Sequence, residues 1–106
     1  MNVPRSAHCA GALALALLIA YASAQKQWIE DGRGCKVFNP LPKPNESIRW
    51  SGGCEDGFAH GEGTLEWFLN GAPNGTNTGS FHEGKQTGRG TALFANGSRY
   101  EGEFVN

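Results

Sequence analysis

Two histidines, His60 and His82, and the carboxylates Glu62 and Glu66 are the side chains from which a zinc or general-base site would have to be assembled. Zinc needs convergent ligands, and a general base needs an orienting partner. His60 precedes a glycine in the turn of one sequence unit, and His82 lies in a strand of the next. Repetition does not bring them together, so both read as solvated histidines. The chain contains no G-x-S-x-G and no H-E-x-x-H. Gly61-Glu62-Gly63 and Gly88-Arg89-Gly90 lack the strand–helix setting of a phosphate loop. The residues therefore point to no catalysis, no cofactor and no metal.

Cysteine is the next reactive type. Cys9 opens an apolar run, Cys9–Ala20, of 12 residues, preceded by one basic side chain, Arg5, and followed by Tyr21-Ala22-Ser23-Ala24. That is the layout of a secretory leader, cleaved between Ala24 and Gln25. A spanning helix needs roughly 20 apolar residues. Cys35 and Cys54 remain, in a chain expected to be exported to a periplasm or the extracellular medium. Pairing is the default there. A C-x18-C pair without nearby histidines is a poor zinc pattern. A bridge across it would contribute about 3 kcal/mol on the chain-entropy account. Without Arg5, eight basic residues face ten acidic ones. That balance offers no basic footprint for nucleic acid or anionic lipid.

The elements that position these residues come from a repeat. Gly52, Gly57, Gly61 and Gly63 sit 27 residues ahead of Gly79, Gly84, Gly88 and Gly90. Thr64 precedes Thr91, and Trp67 precedes Phe94, at the same interval. Tyr100–Asn106 begins a third copy. The extra length of the first copy falls in Leu69–Asn77, read as a lengthened surface loop. A repeat of this period means a stacked array. Each unit reads as a β-hairpin: Trp50–Glu55 goes out, Asp56-Gly57 turns, and Gly63–Phe68 returns. Asn96-Gly97 reads as a two-residue hairpin turn. Residues 25–106 show no convincing helical period.

Period 2 puts Trp50, Gly52 and Cys54 on one face, with Gly79 and Phe81, and with Tyr100, Gly102 and Phe104. Leu65 and Trp67 match Ala92 and Phe94. Glu55, Glu66, Arg99, Glu101 and Glu103 mark the wet face. Residues 25–34 read as a lead-in with a turn at Asp31-Gly32, Cys35–Phe38 as a capping strand, and Asn39–Glu46 as an exposed proline-rich loop. The organisation is thus 1–24 leader, 25–47 lead-in and cap, and 48–106 repeats.

The spacing Tyr-x-Gly-x-x-x-x-Gly-x-x-x-Gly-x-Gly with a following aromatic, over Trp50–Asn106, resembles MORN repeats, and the combination of a leader, GC-V-F-NP, WSG-C and repeats resembles exported bacterial MORN proteins. Trp50 and Asn77 stand at the tyrosine position. The resemblance implies an all-β, elongated antiparallel sheet of stacked hairpins. It also implies a scaffolding, partner-binding or membrane-associated role. The slightly acidic surface argues against membrane contact. Trp50, Trp67, Phe81, Phe94, Tyr100 and Phe104 are the candidate interaction residues, either as stack core or as a platform for protein or glycan. Arg99–Val105 should form an edge open to a partner strand or a second copy. The sequons at Asn45, Asn74 and Asn96 are not expected to be modified in a bacterium; turn chemistry explains the last two.

Overall fold

A computed structural model describes residues 27–105. The expected leader, its cleavage point at Ala24–Gln25, Cys9 and Asn106 lie outside the described residues. The described residues form eight strands: β1 (Trp28–Glu30), β2 (Lys36–Phe38), β3 (Glu46–Trp50), β4 (Gly53–Glu55), β5 (Phe58–Leu69), β6 (Ala72–His82), β7 (Lys85–Phe94) and β8 (Arg99–Phe104). They make one open sheet in the order β1-β2-β5-β6-β7-β8, with β3 and β4 both pairing β5. All pairs are antiparallel except β2 with β5, which run parallel. The described residues contain no helix.

The repeat glycines explain themselves in this sheet. Gly63, Gly79, Gly90 and Gly102 are cross-strand partners and form one row over β5–β8. The next row on the same face is Trp50, Leu65, Asn77, Ala92 and Tyr100. Large side chains of that row fold down onto the glycines. A Cβ at Gly63 would lie 2.7 Å from the Trp50 ring, and one at Gly102 would lie 2.9 Å from the Tyr100 hydroxyl. Only a residue without a Cβ lets the rings pack so close to the backbone.

Two-residue turns set the registers. Asp56-Gly57 and Glu83-Gly84 occupy corresponding repeat positions, and both residues of each have positive φ, as type I′ turns require. Asn70-Gly71 is a third such turn. Residues 72–77 therefore belong to β6, and the expected long surface loop over Leu69–Asn77 does not exist. The extra residues are taken up in longer strands and in a register shift between Glu66 and Phe68. Asn96-Gly97 does not make a two-residue turn. The Gly97 N–H donates to Phe94 O (2.9 Å) and the Phe94 N–H to Ser98 O (2.9 Å), so the loop is Ala95-Asn96-Gly97 with only Gly97 at positive φ.

Trp50–Glu55 is likewise not one strand. The Trp50 indole N–H donates to Gly53 O at 2.7 Å, and its ring covers Gly52. The chain bends around that ring at Ser51-Gly52, and β3 and β4 pair separately with β5.

The inner face holds the core: Cys35, Val37, Ile48, Trp50, Ala59, Leu65 and Phe81 are buried, with Ile29 and Trp67 packed against them. Burying one such large side chain contributes about 1.5–3 kcal/mol. The rings of Trp50 and Phe81 meet at 4.6 Å. A cap closes this end. The lead-in contains a strand, β1, paired to β2, rather than only a turn. Cys35 and Cys54 form a disulfide with Cα atoms 5.7 Å apart. The Phe38 N–H donates to Gly84 O (2.9 Å), joining the cap to the β6–β7 turn. Arg33 Nη2 donates to the carbonyls of Trp50 (2.8 Å) and Gly52 (3.1 Å), exactly where β3 breaks off.

Asp31 holds that arginine. Its side chain is 3% exposed, and it accepts from the backbone N–H groups of Arg33 and Cys35, both at 2.9 Å. Desolvation pushes its pKa up, but these hydrogen bonds and the Arg33 charge outweigh that and hold it below the ordinary carboxylate value. The proline-rich loop runs over the surface and is pinned by Glu46 Oε1, which accepts from Asn39 Nδ2 and the Lys43 N–H, both at 2.9 Å.

Candidate interaction surface

The strand register decides what each candidate aromatic can do. Trp50 is 3% exposed and Phe81 4%, so these two are core and not surface. Phe94 is half exposed, and Tyr100 nearly so. Trp67 and Phe104 are partly buried and face a common depression.

That depression is a groove of about 440 Å³ on the inner face, between the cap and β8. Trp67, Phe38, Phe81 and Phe104 form apolar walls, and Asn77 and Gln86 bring amides into it. It exists because of Asn77. In the first unit Trp50 spreads over Gly52 and Gly63, and in the third Tyr100 spreads over Gly102. Asn77 is too short to cover Gly79 and Gly90. The amide of Gln86 lies over them instead, 2.9 Å from the Cβ position of Gly79. The pair is locked by hydrogen bonds. Trp67 Nε1–H donates to Asn77 Oδ1, Asn77 Nδ2 donates to Gln86 Oε1, and Gln86 Nε2 donates to Thr78 O, each at 3.0 Å. Replacing an aromatic by two small amides leaves room and polar groups in an apolar wall, which is the composition of a ligand groove. Sequence reasoning registered Asn77 as a departure from the aromatic pattern but gave Gln86 no role.

At one end of the groove lies β8. Its Phe104 contacts the groove, and Val105 is 88% exposed beside it. Among the described residues β8 pairs only with β7. The Tyr100 hydroxyl donates to Glu103 O at 2.6 Å, and Arg99 and Glu101 form an ion pair at 3.6 Å. The charges Arg99, Glu101 and Glu103 lie on the opposite, wet face, as the alternation requires.

His60 and His82 are not apart, contrary to the expectation from their repeat positions. They stand opposite each other on β5 and β6, one step beyond the Gly61–Phe81 pair, with ring centroids 5.5 Å apart. Hairpin pairing, not repetition, makes them neighbours. Glu55 lies 3.7 Å from His60 Nε2 and Glu83 lies 3.6 Å from His82 Nε2. Glu62 is occupied otherwise, accepting from Ser80 Oγ at 2.6 Å. Among the described residues no three His, Cys, Asp or Glu side chains are grouped closely enough to hold a metal between them.

No helix among the described residues is long and apolar enough to cross a membrane. The MORN repeat family model matches residues 50–68 and 78–99. No curated protein and no solved structure matches the chain.

Proposed function

We propose that this chain, with its two MORN repeats, is a non-catalytic protein-interaction module of an exported protein. Repeats of this kind are generally protein- or membrane-interaction modules and typically carry no catalysis. The observation that carries the reading is the groove above Asn77 and Gln86. It is large enough for two or three side chains of an extended segment, and its amides can fix backbone groups of that segment. Phe104 and the β8 edge next to it would let the segment continue as an added strand, from a partner protein or from a second copy. Export fits the disulfide and the leader-like start of the sequence. The small net charge speaks against membrane contact.

A specific feature favours one second reading. Aromatic walls with amides between them also suit a glycan or cell-wall polymer. The test separates the two. A bait of the wild-type chain should retain a protein from its own periplasm or medium. A bait carrying Trp67→Ala and Phe104→Lys, with an unchanged β circular dichroism spectrum, should not. Retention by both baits sinks the groove reading. Binding to polysaccharide that is lost in Trp67→Ala replaces it with the glycan reading.

A further inference from the structure

The geometry points to a divalent transition-metal site on the outer face of the sheet, with His60 and His82 as its two imidazole ligands. The groove opens on the other face, so the two sites are independent. Imidazole nitrogens bind zinc at about 2.0–2.1 Å, which puts the ion roughly 3.2 Å from each ring centre. Two rings on one ion at a tetrahedral angle then have centres roughly 5 Å apart. The observed separation is 5.5 Å, and turning the two Nε2 atoms from their separate carboxylates toward a common point would complete the chelate. The backbone already supplies the chelate, because both residues project from paired strands fixed by the Asn70-Gly71 turn.

The surroundings suit a cation. The Glu55 and Glu83 carboxylates lie 3.7 and 3.6 Å from the two Nε2 atoms, one beside each ring, and balance the ion's charge without completing its shell. The competing cation, Lys85, is paired in register with His82 but carries its ammonium over the Phe38 ring, 5.0 Å from its centre. Both imidazoles are open to water, at 37% and 61% side-chain exposure, so an ion can enter and keep water or a partner's group in the remaining positions.

Nitrogen ligands with an open geometry select Cu²⁺ over Ni²⁺ and Zn²⁺, and exclude Mg²⁺ and Ca²⁺, which prefer oxygen. The experiment is isothermal titration of the untagged chain with each metal salt alone. Saturable one-to-one binding of Cu²⁺, weaker for Ni²⁺ and Zn²⁺ and absent for Mg²⁺, is expected. His60→Ala and His82→Ala should each lose the chelate and weaken binding by roughly a hundredfold. Unchanged circular dichroism establishes that the variants fold. In the wild-type chain, substoichiometric Cu²⁺ should broaden the ring signals of His60 and His82 together in the NMR spectrum. Equal affinity in wild type and both variants, or broadening of only one ring, overturns the proposal.

Discussion

Asn77 donates its side-chain amide to Gln86 across β6 and β7 at 3.0 Å, in the place where the neighbouring units put an aromatic ring. One residue thus joins three strands, because Asn77 also accepts from the Trp67 indole. Asn77→Leu would leave the Trp67 N–H and the Gln86 oxygen without partners in a part-buried setting. The expected cost is about 1–3 kcal/mol by urea unfolding, with a changed tryptophan emission spectrum in the folded state. An unchanged midpoint would mean the amides contribute nothing to register.

Gly63 and Gly61 separate two reasons for glycine. At Gly63 the backbone is ordinary, but an added methyl would sit 2.7 Å from the Trp50 ring and 2.8 Å from Gly52 N. Gly63→Ala should cost about 1–3 kcal/mol by overpacking. At Gly61 nothing lies within 4 Å, but φ is 86°, so Gly61→Ala should be penalised by about 1 kcal/mol or more, through backbone strain alone. Trp50→Ala should relieve the ring's share of the first penalty, keep the Gly52 N contact, and leave the second unchanged. A double-mutant cycle reads this directly.

Reduction of the disulfide should act on the cap before the repeats. Cys35 and Cys54 are 19 residues apart, and β2 meets β5 through the single pair Lys36–Phe58. Loss of the bridge should cost about 3 kcal/mol. Amide exchange should rise first in residues 28–38, while the β6–β7 pairing stays protected. Uniform loss of protection would show that cap and repeats unfold as one unit.

Acid should loosen the same cap. Asp31 has a lowered pKa in the folded state, so between that value and the ordinary 3.8 the unfolded chain binds more protons. Stability therefore rises with pH through this window. The Asp31 contribution is complete above the ordinary value and is lost as pH falls through the folded one. Asp31→Asn should lower the midpoint of urea unfolding at neutral pH and flatten its decline below pH 3.8. A parallel decline in the variant would assign the acid sensitivity to other carboxylates.

Spacing was enough to show the class of structure. Glycines held at one interval, strands with period 2 and paired turn residues specify stacked hairpins with one apolar and one polar face. These are local properties, repeated until they cannot be missed. The partnership of Cys35 and Cys54 was legible too: of the three cysteines, Cys9 stands in the leader-like run, and the other two allow one bridge between them. What the chain meets across its strands was not legible. His60 and His82 differ in repeat position, and only the Asn70-Gly71 turn, with its register, puts them face to face. The Ser51-Gly52 break follows from where one indole ring lies. The groove follows from a missing ring at Asn77 and an amide reaching over from Gln86. Each depends on the exact offset between strands, and a shift of one residue would send every one of these side chains to the other face. Periodicity along the chain determines the faces; pairing across it decides which residues become neighbours.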